Sequence, residues 1–588
     1  MALSGFGQTK KTKNRMTESL LKVVIFTSVP PRSVARIMER IRREAPEAQV
    51  VGVLYERRPP KTRQQRLQFW RKKITRPAYW RYSMHRILAK ASARLTSLLD
   101  AVIRYVHAAP KWPNGRAFYD LDELQVECSG SGTELFITPD IHSPESLDFV
   151  RRLNPDLGLV FGTGILKPVL FELPKQGSIN IHKRKVPDYR GGGAVGLWEL
   201  LDDQKEIGVT IHRVEAKVDV GAVVQSAVIP IEPFDDLESL SLKAEVVGGD
   251  LIVAAIRDFA NGTVTETPQS GPGKLFRRPT DEDLLQMKKK LAARRRVKTS
   301  HFRWPLWKLF LKSVLNAPKL AIRNRKHRQN ADFPVMILYH HLVSDRSHRL
   351  GVSTVYFLRQ VKYLLRHYRV VSLSEAIELV RKGGVNVPTV AITFDDGYAD
   401  NFVNLRAVTE ETGVPIAYFI STEHISNGRE FAHDHVASEY GFTPNTWPQI
   451  EVLQGCGYEI GSHTRNRADC GSTDVQFLRD EIIGSGEDIQ RRLGTTPHFS
   501  FPFGLPENIS APAAEIACAS YKNVFSAYRG GNFHQDARRI LRRSGFPKTL
   551  WELELQLQSV LLGETNEPPH LKVRIDKSGF EGGRINKK

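Results

Sequence analysis

Three side chains near the middle of the chain have the types and order needed for acyl transfer. Asn180 and His182 stand two apart in the alternating stretch S-I-N-I-H, and Asp219 follows in D-V-G. Residues two apart in a strand point to the same face, so Asn180 and His182 can serve one site. An amide can donate to a developing oxyanion, an imidazole can move a proton, and a carboxylate can orient or charge the imidazole. The alternative is a buried strand whose polar groups only satisfy its own turn.

A second set of polar side chains follows the buried stretch T-V-A-I-T-F. Asp395 and Asp396 come directly after it, and His463 ends a later strand-like stretch. The end of a strand can turn two neighbouring carboxylates into one cleft, where one could bind a metal and the other could act as a general base. Polar groups at the carboxyl ends of successive parallel strands are typical of a barrel active site.

Both sets of polar residues lie within segments that alternate between strand and helix patterns. The chain opens with a strand at 21–28, a helix at 30–44 and a strand at 49–55, which is the β-α-β pattern of a doubly wound sheet. Strand and helix patterns alternate again from 335 to about 562. The sequence therefore predicts an α/β protein, with a doubly wound sheet domain followed by a barrel-like domain.

The first set belongs to a longer series of motifs. N-I-H, P-x-Y-R-G, G-V-T-I-H and D-x-G, in this order within residues 21–275, resemble the folate-dependent formyltransferases. The resemblance implies that Asn180, His182 and Asp219 are catalytic and that 10-formyltetrahydrofolate is the formyl donor. It also implies a folate-binding loop that contains Gly162, Gly164, Ile165 and Leu166.

One motif departs from the formyltransferase pattern. The family usually has Pro-Ser-Leu-Leu-Pro after the histidine, whereas residues 183–187 read K-R-K-V-P. Three cations beside the site suggest a differently shaped or anionic acceptor.

The second set also has a family context. T-F-D-D-G, S-H-T and F-P-F-G resemble the NodB-type polysaccharide deacetylases over most of 335–545. The resemblance implies a distorted (β/α)7 barrel that removes N-acetyl groups from sugars. Asp395 would be the base, and Asp396 and His463 would be ligands of zinc or a similar divalent metal.

This second resemblance is broken at one ligand position. The family motif H-[ST]-x-x-H supplies a second histidine, but this chain has Arg467 there. Arginine stays protonated, cannot ligate a metal and repels a dication. Asp469 is a candidate replacement ligand, and His534 is the nearest candidate for the family's late histidine. Deacetylation and simple glycan binding therefore remain two hypotheses for this domain.

The composition of the chain indicates which classes of partner it favours. Lys and Arg number 85 against 64 Asp and Glu, and the net charge of +21 favours nucleotides, nucleic acid or an anionic membrane surface as partners. Residues 57–99 hold thirteen Lys or Arg, no acid and several aromatics. This segment is consistent with a solvated helical insertion, an interfacial membrane helix or a nucleic-acid surface.

The remaining composition argues against several classes. Four scattered cysteines without a C-x-x-C pair argue against a disulfide framework and a cysteine zinc site. No apolar run reaches the roughly 18 residues of a membrane span, and the start does not resemble a signal peptide. We expect a cytoplasmic protein, with peripheral attachment to the inner face of the membrane as an option.

These patterns predict five segments. They are a basic tail (1–20), a formyltransferase-like domain (21–275) with a basic insertion (57–110), a basic linker (276–332), a deacetylase-like domain (333–562) and a second tail (563–588).

The leading hypothesis is a bifunctional enzyme of surface-glycan or amino-sugar metabolism. The barrel would remove an acetyl group, and the first domain would formylate the exposed amine on a free, nucleotide-linked, lipid-linked or polymeric sugar. One alternative is a formyltransferase with a catalytically dead, glycan-binding barrel. Another is formylation of a tRNA-linked amine, against which the carbohydrate-type barrel argues. A non-enzymatic alternative is a membrane-surface scaffold that uses the two basic aromatic segments.

Overall fold

The structure is a computed structural model. It describes residues 20–57, 121–296, 306–437, 441–534 and 540–564, apart from 347, 349, 497 and 548, together with three single positions between 62 and 67. The basic insertion predicted at 57–110 and both predicted tails lie almost entirely outside the described residues.

The first domain is built on a seven-stranded sheet and one short two-stranded ladder. Its strands are β1 (Leu21–Thr27), β2 (Ala48–Glu56), β3 (Glu134–Thr138), β4 (Leu157–Phe161), β5 (Ser178–His182), β6 (Arg190–Gly191), β7 (Glu206–Arg213), β8 (Val223–Pro230) and β9 (Leu275–Phe276). The main sheet has the order β3-β2-β1-β4-β5-β7-β8, and β6 pairs with β9. The first five strands of the main sheet are parallel, whereas β7 runs antiparallel to both β5 and β8.

Helices cover both faces of this sheet. They are α1 (Pro31–Glu44), α2 (Leu121–Gly130), α3 (Pro144–Leu153), α4 (Pro168–Phe171), α5 (Leu197–Leu201), α6 (Leu237–Asn261) and α7 (Asp281–Arg296). The capping box predicted for α6 is present: Asp236 accepts from the backbone N–H groups of Glu238 and Ser239. The helix ends at Gly262, whose φ is 67°. Two apolar clusters, one on each face, give the doubly wound α/β domain that the sequence predicts.

The second domain contains ten strands and ten α-helices within the described ranges. The strands are β10 (Val335–His340), β11 (Leu342–Val343), β12 (Gly351–Val352), β13 (Arg369–Val370), β14 (Thr389–Phe394), β15 (Ala417–Ile420), β16 (Glu459–Ser462), β17 (His498–Ser500), β18 (Asn523–Phe525) and β19 (Ser544–Gly545). The helices are α8 (Leu306–Asn330), α9 (Thr354–His367), α10 (Leu373–Lys382), α11 (Asp400–Thr412), α12 (Thr422–Asn427), α13 (Ala432–Ala437), α14 (Trp447–Gly455), α15 (Val475–Leu493), α16 (Ala511–Ser520) and α17 (Leu550–Leu561), with a 3-10 helix at Pro506–Asn508.

Seven parallel strands of this domain form the barrel wall. Their order is β18-β17-β16-β15-β14-β10-β19, and β13 adds to β14. A parallel bridge between Phe525 and Leu541 links the end of β18 to the segment before β19. The carboxyl ends of β14, β16 and β17 therefore meet at one end of the barrel, which is the arrangement that the sequence predicts.

The segment predicted as a linker is divided between the two domains. Met287 of α7 is buried in the first core, and Lys290 donates to the carbonyl of Leu201 at 2.8 Å. Leu320 of α8 is buried in the second core, where α8 packs along α17. Each helix thus extends the domain beside it.

The two domains contact each other directly through α6 and α11. Asp250 on α6 forms ion pairs with Arg40 of α1 and, at 2.8 Å, with Arg406 of α11. Lys243 is buried between Asp235 and Asp345 and lies 2.8 Å from each carboxylate. The Lys243 pairs are buried and therefore costly to separate, so they favour one relative placement of the domains.

Candidate active sites

The first site forms where β5 and β7 pair. The antiparallel register places Asn180 opposite His212. Asn180 Nδ2 donates to His212 Nε2 at 3.1 Å, and His212 Nδ1 donates to the Arg213 carbonyl at 2.7 Å. In this pattern the His212 proton lies on Nδ1. One hydrogen of the Asn180 amide then remains for a further acceptor.

Asp219 is held beside these groups by backbone contacts. Its φ is 54°, a left-handed conformation that is uncommon for a residue with a side chain. Its Oδ2 accepts from the Gly191 N–H at 2.9 Å. Gln269 Nε2 donates to the carbonyls of Asp219 at 3.1 Å and Gly221 at 2.7 Å. These contacts fix the carboxylate against the glycine-rich turn.

The Asp219 carboxylate lies between two imidazoles. Its Oδ2 is 3.6 Å from His182 Nδ1, and its Oδ1 is 3.5 Å from His212 Nε2. His182 Nε2 donates to the Tyr189 carbonyl at 2.8 Å. This bond leaves a lone pair on His182 Nδ1, so Nδ1 can accept a proton beside a carboxylate that stabilises the resulting imidazolium.

The electrostatics suit a proton acceptor. Burial lowers the pKa of His182, and the charge of Asp219 only partly offsets this effect. Burial alone would raise the pKa of Asp219, but the contacts with His212, His182 and the Gly191 N–H together lower it. The site therefore combines a neutral imidazole with an ionised carboxylate near neutral pH.

The glycines of the R-G-G-G turn are required by close packing. Gly191 has φ 88°, and a Cβ there would lie 2.5 Å from the Phe276 carbonyl oxygen across the β6–β9 pair. Gly193 has φ 136°, and its Cβ would lie 2.6 Å from Arg184 Nη2. The turn can therefore bring the Gly191 N–H to Asp219 only without side chains.

A cleft of about 290 Å³ opens beside His182. Its walls include Phe161, Ile181 and Gly162, the first residue of the predicted folate loop. Leu166 of that loop is buried, whereas Gly164 is exposed and 75% of the Ile165 surface is exposed. The structure thus brings one end of the loop close to His182, and the loop's role in folate binding remains a prediction.

The three cations after His182 are each near an acid. Lys183 forms an ion pair with Glu245, and Arg184 is buried with its Nε 3.9 Å from Glu199. Lys185 Nζ lies 3.8 Å from Asp188 and 3.9 Å from Glu206. The local charge is therefore largely balanced, which weakens the expectation that these cations select an anionic acceptor.

The second site lies at the carboxyl end of β14, where Asp395 is paired with an arginine. Arg543 donates to both carboxylate oxygens of Asp395, at 2.7 and 2.9 Å. Arg543 is fully buried and also donates to the Ser526 carbonyl at 3.2 Å and to Ser500. Burial would raise the pKa of Asp395, but Arg543 and then His463 lower it. The predicted base is thus a weakly basic carboxylate in a bidentate pair.

Asp396 is paired with a second arginine. It is fully buried, has φ 74°, and accepts from Arg467 Nε at 2.6 Å. Burial would raise its pKa, but Arg467 and the nearby His341 and His463 hold the pKa well below its usual range. Arg467 therefore neutralises the carboxylate that was predicted to be a metal ligand.

Histidines line the same end of the barrel. His463 Nδ1 donates to the Ser500 carbonyl at 2.8 Å, and its Nε2 is 3.5 Å from Asp396 Oδ1. His433 Nε2 is 2.9 Å from the Tyr398 hydroxyl. Burial and then the charge of Arg467 lower the pKa of His433 to about 4. Sequence reasoning did not single out His433.

The residues present do not fit a bound metal. Within the described ranges, no three His, Cys, Asp or Glu side chains are grouped so that they could hold a metal ion. Asp396 and His463 are close together, but the Arg467 guanidinium contacts the same Asp396 oxygen. A dication at that oxygen would be repelled by this cation.

The structure does not support the predicted roles of Asp469 and His534 in this site. Asp469 accepts from the Gly471 N–H at 2.9 Å and from Asn508 Nδ2 at 2.9 Å, so it caps its own turn. His534 donates to the Val380 carbonyl at 3.2 Å. Val380 lies in α10, which leads to the amino end of β14, opposite the end that carries Asp395. Neither residue belongs to the site.

Two contributors were not predicted from the sequence. His212 is the histidine of the G-V-T-I-H motif. Antiparallel pairing of its strand with the strand that carries Asn180 would have indicated that the two residues are neighbours. Arg543 contacts Asp395 across 148 positions of sequence, with no local motif to indicate it.

Comparison with known families confirms both resemblances. Residues 122–256 match the family model described as formyl transferase, and residues 382–519 match the model described as polysaccharide deacetylase. The chain thus carries a formyltransferase domain fused to a polysaccharide deacetylase domain, and both are enzyme families.

Curated relatives match the formyltransferase part. A methionyl-tRNA formyltransferase from Thermodesulfovibrio yellowstonii is 36% identical over 174 residues, covering 29% of this chain and 55% of that protein. One from Enterococcus faecalis is 34% identical over 179 residues, covering 30% and 57%. The chain spans about half the length of these relatives.

Solved structures resemble each part of the chain. IcaB from Ammonifex degensii is 20% identical, with a TM-score of 0.33, covering 38% of this chain and 97% of that protein. An N-formyltransferase from Helicobacter canadensis, solved with folinic acid and dTDP-3-aminofucose, is 14% identical, with a TM-score of 0.27 and coverages of 45% and 72%.

Proposed function

We propose that the first domain transfers a formyl group from 10-formyltetrahydrofolate to the amine of an amino sugar. The observation that carries the proposal is the contact network of Asn180, His212, Asp219 and His182. Among the described residues, this network leaves one amide hydrogen of Asn180 and the Nδ1 lone pair of His182 without a hydrogen-bond partner. The matched formyltransferase family implies a folate-type donor.

The cleft beside His182 is compatible with such a donor. A Cβ at Gly162 would lie 2.4 Å from Val29 Cγ1, so only glycine lets the backbone close over this wall. Phe161 and Ile181 give the cleft apolar surface against which a flat ring can pack. When bound, the folate supplies an activated formyl group.

The residues of the chain then have distinct roles. The free hydrogen of the Asn180 amide donates to the formyl oxygen, which gains negative charge as the amine attacks. His182 Nδ1 takes the proton that the amine loses and returns it to the departing nitrogen, while Asp219 stabilises the imidazolium. His212 positions the Asn180 amide through its Nε2.

The fused barrel supports a sugar acceptor. Its match to the polysaccharide deacetylase family indicates carbohydrate chemistry, and the product of deacetylation would be the substrate of formylation. Deacetylation by the barrel is the competing hypothesis: the family match favours it, whereas the pairing of Asp395 with Arg543 and of Asp396 with Arg467 argues against it.

Formylation can be tested with purified protein and 10-formyltetrahydrofolate. The acceptors are free, nucleotide-linked and lipid-linked amino sugars, with methionyl-tRNA as the competing class, and products are read by mass spectrometry. We expect a formylated amino sugar with wild type and with the exposed-histidine control His435→Ala, and about 10²- to 10⁴-fold less with His182→Ala. Product that persists in His182→Ala would refute the assigned site, and formylation of tRNA alone would refute the sugar acceptor.

We also propose that α8 can place the protein at an anionic membrane surface. Leu311, Leu315 and Ile322 are 47%, 67% and 64% exposed and share one face of the helix, with Lys312 and Lys319 exposed beside them. An apolar face flanked by cations is typical of interfacial helices. Among the described residues, no helix combines the length and apolar character needed to cross a membrane.

Sedimentation with vesicles tests this placement. We expect wild type to sediment with vesicles that contain phosphatidylserine and to be released by salt. The double variant Leu315→Glu with Ile322→Glu should remain in the supernatant. Val126→Glu, at a position 72% exposed on α2, is the matched control and should behave as wild type. Equal sedimentation of the double variant would exclude α8 as the contact.

A further inference from the structure

Arg467 is held in the barrel site by two contacts of its own and by the turn that contains it. Its Nε donates to Asp396 Oδ1 at 2.6 Å, and its guanidinium carbon lies 4.5 Å from the centre of the Phe503 ring. The turn that contains Arg467 is closed by a hydrogen bond from the Ala468 N–H to Thr464 Oγ1 at 3.0 Å. Asp396, Thr464, Arg467 and Phe503 all have positive φ. Such conformations persist where the surroundings enforce them, so this is a built position.

The Arg467–Asp396 pair still offers hydrogen-bonding groups. Among the described residues, Arg467 Nη1 and Nη2 have no hydrogen-bond partner, although 91% of the side-chain surface is buried. Asp396 Oδ2 is buried without a partner in the same part of the chain. The two Nη nitrogens of Arg467 therefore remain as donors for an acceptor on a ligand, such as the carbonyl oxygen of an amide.

Charge and shape favour a neutral sugar. Asp395 is balanced by Arg543 and Asp396 by Arg467, so neither a dication nor a second anion is required for charge balance. Phe503 is 47% exposed beside Arg467. An exposed aromatic ring next to polar groups is suited to packing against the apolar face of a sugar.

We infer that the Arg467 guanidinium stands where a metal of the deacetylase family would bind, and that the barrel binds an N-acyl amino sugar without a metal. Arg467 would donate to the acyl oxygen, and Phe503 would pack on the ring. The choice of an N-acyl sugar rests on the proposed function, whose product is such an amide.

Metal analysis of the full chain tests the first half of the inference. Protein produced with added zinc is dialysed and its metal content is measured by mass spectrometry. We expect wild type to hold far less than one equivalent, and Arg467→His, which restores the third ligand, to hold about one. Arg465→His is the matched control, because Arg465 pairs with Asp480 and Asp488, and it should match wild type. One equivalent in wild type that is lost in Asp396→Ala would overturn the inference.

Calorimetry in EDTA tests the second half. The probes are the trisaccharide of N-acetylglucosamine and the matching trisaccharide of glucosamine. We expect the acetylated probe to bind at least about tenfold more tightly, because the free amine leaves Arg467 without an acceptor. Arg467→Ala and Phe503→Ala should each lose this binding, and Phe503→Ala keeps the test informative if the first variant does not fold.

The outcomes separate this inference from the proposed function. Acetylated probe that binds only with added zinc, or does not bind, would overturn the inference. Loss of amino-sugar formylation in His182→Ala would still support the first domain's role in that case. If the probe binds but no amino sugar is formylated, the proposed function fails and the barrel assignment stands.

Discussion

The two sites both bury carboxylates but neutralise them with different partners. Asp219 lies between His182 and His212, whereas Asp395 and Asp396 are paired with Arg543 and Arg467. A histidine can accept and release a proton near neutral pH, but an arginine cannot. The first site can therefore move protons, whereas each carboxylate of the second site is held by an arginine of fixed charge. The reactions in which a buried carboxylate can take part thus depend on the side chain that is paired with it.

The largest expected effect is on formyl transfer. Asp219→Asn keeps an oxygen for the Gly191 N–H but removes the charge that stabilises protonated His182. We expect the single-turnover rate of formylation to fall by about 10²- to 10³-fold. A rate within a few-fold of wild type would mean that Asp219 only holds the turn.

The equivalent change in the barrel should affect stability. Asp396→Asn leaves Arg467 buried without its counter-charge, and removing one partner of a buried ion pair costs about 3–5 kcal/mol. We expect a lower midpoint of thermal unfolding for the second domain. Asp480→Asn is the control, because its carboxylate is 59% exposed and pairs with Arg465 at the surface. Similar midpoints for both variants would argue against a structural role of the Asp396 pair.

The pH dependence of formylation sharpens the contrast. His182 must be neutral to take a proton, so the rate should rise with pH and level off once His182 is deprotonated. Burial lowers the pKa of His182, so the midpoint should lie below the ordinary value of about 6.5. Asp219 raises this pKa, and Asp219→Asn should therefore move the midpoint to still lower pH. A midpoint above the ordinary value would contradict a buried neutral base.

The smallest effect is expected at the basic residues after His182. Lys185 is 54% exposed and lies near Asp188 and Glu206. We expect Lys185→Ser to change kcat/KM for an amino sugar by no more than about twofold, because exposed ion pairs contribute little. A large loss of kcat/KM confined to anionic acceptors would instead indicate that the basic residues 183–185 select a negatively charged acceptor.

Most of the fold followed from local patterns. The opening β-α-β unit, the Asp236 capping box and the strand before Asp395 are all set by short-range periodicity and capping. Asn180 and His182 lie together for the same reason, because they share one strand, whereas Asp219 joins them through contacts with the glycine-rich turn.

The remaining features depend on contacts between distant segments. Arg543 contacts Asp395 although the two residues are 148 positions apart in the sequence. His534, the candidate for the family's late histidine, lies near the amino end of β14, opposite the end that carries Asp395. Arg467 was visible as a departure from the motif. Its contact with Asp396 depends on the positive φ angles of Asp396 and Arg467, which the sequence does not indicate.

One experiment tests the contrast between the two sites most directly. The full chain is incubated with 10-formyltetrahydrofolate, an amino sugar and its N-acetyl form, with and without added zinc, while formylated product and released acetate are measured together. We predict formylated product in both conditions and no acetate in either. Acetate release that requires zinc and disappears in Asp395→Asn would contradict the account.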